Sequence, residues 1–188
     1  MSNIDNANRV LSRRILLLWG GTIILFFVSL PDIWIVDAIA EKIAAYFPVV
    51  KGQLEKGTRI SSVAGRFFCL GVLTVPVATL FLLWGQDILG RARVGASRSG
   101  GRWKYLFTVF VIGIPFCVSM LALIYFAPIE VPQNPHLMGQ VVAHSMTNTY
   151  LGLLVFGSIG IVGTTLLFFF LLSFVALPIL FVFRKKGD

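Results

Sequence analysis

Four long apolar stretches, at 15–36, 67–89, 105–127 and 150–183, alternate with segments that hold nearly all of the charge. Each reaches the roughly 20 apolar residues that a helix needs to cross a hydrocarbon core. The pattern predicts an all-α, polytopic membrane protein: one domain over 1–188 built on four transmembrane helices. The last stretch would extend about 50 Å as a straight helix, so it must tilt, protrude or break near Pro178.

A second periodicity lies at the end of the first stretch. Ser29-Leu30-Pro31-Asp32 has the chemistry of a helix stop followed by a new start, because proline suits a first turn and aspartate the positive helix end. Beyond it, Ile35, Ile39, Ile43 and Phe47 recur every four residues, while Asp37, Glu41 and Lys42 fall largely off that stripe. This predicts an extra amphipathic segment over 32–47, lying on the membrane or against its neighbours and stopped by Pro48. The apolar start runs on through Trp34 without a small-x-small site, so it reads as a retained span rather than a cleaved leader.

Charge then orients the spans. The chain is 57% hydrophobic and only 13% charged, where soluble domains are about a quarter charged. Its net charge of +8 is unevenly placed. Eleven of the sixteen Lys/Arg fall on the tail (Arg9, Arg13, Arg14), on 90–104 (Arg91, Arg93, Arg98, Arg102, Lys104) and on the C-terminal end (Arg184, Lys185, Lys186). The other five are Lys42, Lys51, Lys56, Arg59 and Arg66. The positive-inside bias predicts N-in/C-in topology, a cytoplasmic loop at 90–104, and outward loops at 37–66 and 128–149. The basic loop has no GxxxxGK[ST] pattern for a phosphate and only Trp103 for stacking, so it is read as a topological anchor touching membrane lipids, with no nucleic acid as partner.

Candidate chemistry is sparse. No Lys, Arg, Glu or His occupies the middle of any stretch, which argues against an ion-translocating subunit. His136 and His144 with Glu130 lack the spacing of a zinc site, and Ser145 lacks a nucleophile elbow. Cys69 and Cys117 lie inside apolar runs as packing residues. No enzymatic activity, cofactor or metal is expected. What remains are surfaces. In GSIGIVGTT, Gly157, Gly160 and Thr164 share one helix face, smooth enough for another backbone to approach, either within the bundle or from a foreign helix. Asp32, and Asn134, His136, His144 and Asn148 in the outward third loop, are candidate specificity contacts.

The plan resembles the four-helix immunity proteins of colicin A-type pore-forming bacteriocins. The likeness rests on the polar start NIDNANRVLSRR, the Pro31-Asp32 turn leading into EKIAAYF, the basic middle loop, and the last span ending LPILFVFRKKG. It is a likeness of plan, so no contact residue is carried over from the family. It implies a bacterial inner-membrane protein with both termini in the cytoplasm, which binds the pore-forming domain of a toxin within the bilayer before the pore opens. A small non-catalytic accessory subunit of a membrane transport or secretion complex would show the same plan, and a homo-oligomer is compatible with either.

Overall fold

The structure is a computed structural model that describes residues 2–55, 59–126, 145 and 148–183. Among these residues all regular structure is helical and there is no strand. Four helical stretches are long and apolar enough to cross a membrane: Asn8–Ser29, Ile60–Leu83, Arg102–Tyr125 and Tyr150–Leu177.

The first span lies in α1 (Ser2–Ser29), which ends seven residues before the expected limit of 36. Pro31 lacks an N–H and pushes Leu30 out of the helical region, so the chain turns there. The amphipathic segment forms as α2 (Trp34–Ala44), with Ala40 buried and Trp34, Ile35 and Ile39 exposed. It stops before Pro48 is reached. Phe47 is extended (φ −122°, ψ 99°), as a residue before proline prefers, and Pro48 opens a new helix, α3 (Pro48–Leu54).

The second span, α4 (Arg59–Leu83), begins eight residues earlier than the expected 67 and ends at 83 rather than 89. The basic segment 90–104, expected as a loop, is mostly helix: α5 (Ile88–Arg98) is followed by a turn at Gly100 and Gly101, both at positive φ, and by α6 (Arg102–Thr108). Asp87 starts α5 by accepting the Gly90 N–H at 2.8 Å. Leu89, Ala92 and Ala96 supply its buried face, the spacing of an amphipathic helix within a basic sequence.

The third span widens into a π-type turn at Val109–Gly113 before α7 (Ile114–Phe126). Pro115 follows directly, and the wider turn absorbs the hydrogen bond and space that its ring removes. The fourth span opens at Thr149, whose hydroxyl accepts the Gly152 N–H at 2.9 Å. It runs through one turn, α8 (Tyr150–Gly152), a second π-type turn (Leu153–Gly157) and α9 (Ser158–Phe183), without stopping at Pro178.

Helix α4 is the hub and packs on α1, α3, α2 and α9. Its seam with α9 is closed by reciprocal fit. A Cβ on Gly157 would lie 2.7 Å from the Phe67 ring, and one on Gly71 would lie 2.7 Å from Ile161. Phe67 joins Phe26, Val63, Leu153 and Ile161 in one core cluster. A second cluster of Ala40, Val50, Cys69 and Tyr125 seats α2 and α3 on the spans. A third, of Leu89, Ala92, Val109 and Leu177, holds α5 at the opposite end. Helix α7 rests on α9 and α3 and barely meets α4.

Candidate functional site

Two arginines tie α1 to α4 at opposite ends of the pair. Arg66 lies six residues, about 9 Å, inside the start of the second span. It was expected among the charges of an outward loop, yet its side chain is only 1% exposed. Its Nη1 donates to Asp32 Oδ1 at 2.7 Å and to the Pro31 carbonyl at 2.9 Å. Its Nε is 3.6 Å from Asp37 Oδ1, so one guanidinium faces two carboxylates. Helix stop, aspartate pair and arginine therefore form one unit: Pro31 ends α1, which delivers Asp32 to the arginine, and α2 begins with Asp37 in its first turn. The pairing explains why the second span extends past a charge. A buried cation is tolerated when it is paired and hydrogen-bonded.

At the far end, Arg14 Nη1 donates to the carbonyls of Phe81 (3.0 Å), Leu82 (3.4 Å) and Trp84, where α4 runs out of intrahelical donors. Its guanidinium also lies 5.3 Å from the centre of the Phe81 ring. A cation at a helix C-terminus is favourably placed against the helix dipole.

Between these ends, the gap that separates α7 from α4 forms a cleft of about 430 Å³ floored by α9. Val72, Val75 and Pro76 line one wall, Val118 and Leu121 the other, and Phe168 the floor. No hydrogen-bonding side chain but the Tyr125 hydroxyl belongs to the lining. A site of this composition takes up hydrocarbon or apolar side chains and offers no acid, base or nucleophile for a reaction.

The candidate surface residues divide. Asp32 is 88% exposed although Arg66 holds one of its oxygens, so it stays accessible from outside the bundle. Gly157 is taken up internally by Phe67, and Thr164 is buried with its hydroxyl donating to the Gly160 carbonyl at 2.7 Å. Gly160 differs from both: a side chain there would meet nothing within 4 Å. Asn148 is exposed at the start of the fourth span, while Asn134, His136 and His144 lie outside the described residues.

Arg66 and the cleft were not singled out from the sequence as a site. The signal for Arg66 was present as two acids, Asp32 and Asp37, flanking a proline stop, but the distance along the chain concealed the pairing. No family model, no curated protein and no solved structure matches this chain.

Proposed function

We propose that this chain is a non-catalytic membrane protein that acts by binding another protein's helices within the bilayer, and specifically an immunity protein that blocks the pore-forming domain of a bacteriocin. In this reading it resides in the bacterial inner membrane with both termini in the cytoplasm, as the Lys/Arg bias requires. The observation that carries the proposal is the apolar cleft between α4 and α7, open at mid-span in a bundle whose α1–α4–α9 seam is otherwise closed. A partner helix laying side chains into it would gain packing that lipid tails supply poorly, which is the main driving force for association in a membrane. Gly160 adds an approach face that needs no rearrangement of this chain. Asp32 lies where an entering hairpin would first meet the protein from outside.

The test is depolarisation of sensitive bacteria that express the chain, challenged with a panel of pore-forming domains delivered directly to the inner membrane. Protection against one and normal killing by the rest is the expected result. Absence of protection from every domain, with correct insertion, overturns the immunity reading in favour of an accessory subunit. Ala122→Trp, which fills the cleft, and Gly160→Leu, which blocks the open face, are expected to abolish protection while leaving insertion intact. Retained protection in either variant removes that surface from the proposal.

A further inference from the structure

At the Arg14 end, α5 folds across the ends of α6 and α9 and encloses a pocket of about 120 Å³. One wall is polar, made by Gln86, Arg91 and Tyr105; the other is hydrocarbon, made by Phe170, Phe174 and Leu177. The polar wall is rigidly held. Asp87 caps α5, and Gly95 lets that helix lie against the Tyr105 ring, where a Cβ would be 2.6 Å from Cε2. Ser173, also in the lining, donates its hydroxyl to the Phe169 carbonyl at 2.7 Å.

Three observations narrow what such a pocket accepts. First, the surrounding segment 90–104 carries five Lys/Arg and no acid, and the carboxylate of neighbouring Asp87 is engaged with the Gly90 amide. The electrostatics therefore favour an anion. Second, Trp84 and Trp103 are 78% and 83% exposed on either side of α5, the placement of aromatic residues at the boundary between headgroups and hydrocarbon. Third, Gln86 Oε1 is buried without a donor, so an occupant that brings a hydroxyl would satisfy it. A free inorganic anion would leave the phenylalanine wall unused, and a neutral lipid would leave the arginine unused.

We propose that this pocket is a site for one anionic phospholipid whose headgroup carries a hydroxyl, the chemistry of phosphatidylglycerol. Arg91 holds the phosphate, with the Tyr105 hydroxyl as a neutral donor; Gln86 Oε1 accepts from the headgroup hydroxyl; an acyl chain lies over Phe170 and Phe174. The site is independent of the proposed immunity role, since the cleft between α4 and α7 is separate from it.

Native mass spectrometry of the full chain, released from micelles doped with phosphatidylglycerol or phosphatidylcholine, tests the assignment. The wild type should retain one phosphatidylglycerol in preference to phosphatidylcholine. Arg91→Gln should weaken that retention by about tenfold, the scale of one charge-assisted hydrogen bond. Arg98→Gln, which removes an exposed charge from the same helix, should not. Tyr105→Phe keeps the ring against Gly95 and should give a smaller loss, which covers the case in which Arg91→Gln does not fold. Equal losses in Arg91→Gln and Arg98→Gln would reduce the effect to diffuse surface charge and overturn the site. Displacement of the lipid by millimolar inorganic phosphate would overturn it in favour of a free-anion site, and so would unchanged retention in Tyr105→Phe and Arg91→Gln alike.

Discussion

The two ends of the α1–α4 pair are each fastened by an arginine, but the fastenings differ in kind. Arg66 is buried and faces carboxylates from the α1–α2 turn and from α2. Arg14 is half-exposed and faces backbone carbonyls at a helix terminus. The first arrangement is held by charge removed from water, so its stability depends on every member being present. The second only supplements carbonyls that water also reaches, so its loss is replaceable. The two ends should therefore respond unequally to the same substitution, and the Arg66 end should respond unequally to removal of either partner.

The largest effect is expected from Asp32→Ala. It leaves the Arg66 guanidinium buried with the Pro31 carbonyl and a carboxylate at 3.6 Å, outside hydrogen-bond range. Losing a hydrogen bond to a buried charged group should lower stability by about 2 kcal/mol, measured by SDS titration of the detergent-solubilised chain. Arg66→Met should cost less, under about 1 kcal/mol, because it removes the buried charge as well as its partner and leaves Asp32 in water. The double variant should match Arg66→Met alone. An Arg66→Met loss larger than that of Asp32→Ala would show that the guanidinium stabilises through packing, and would erase the asymmetry.

At the other end, Arg14→Gln is expected to cost well under 1 kcal/mol, the ordinary size of a surface charge at a helix terminus. That loss should shrink further in 1 M salt, where the Debye length falls to about 3 Å. The Asp32→Ala loss should hold largely constant over the same salt range, since buried pairs are poorly screened. Equal salt dependence at the two ends would mean that Arg66 is solvated in the membrane-embedded protein and that the contrast between the ends is false.

The same contrast shows how far charge can be read by position alone. Counted along the chain, Arg66 belongs with Lys42, Lys51, Lys56 and Arg59 in a polar loop. In the fold it sits within a helix that the hydropathy pattern began only at Phe67. The candidate face at Gly157, Gly160 and Thr164 divided for a related reason. Helical spacing places the three residues on one side, but which neighbour occupies that side depends on Phe67 of a helix 90 residues earlier in the chain. Asp32 was legible as a residue at a helix stop because proline and aspartate act locally; its tie to Arg66 was not.

The sequence by itself determined the number of spans, the proline break after Ser29 and the amphipathic character of the segment that follows. All of these rest on the solvation and backbone preferences of residues close together in the chain. Tertiary structure alone decided that Arg66 could enter a span, that 90–104 would fold largely as a helix rather than a loop, that Gly157 would be filled while Gly160 stayed open, and that α7 would stand away from α4. Each of these depends on a partner distant along the chain, 34 residues away for Arg66 and Asp32. Hydropathy measures what a residue gains by leaving water; only the fold supplies the group that meets it there.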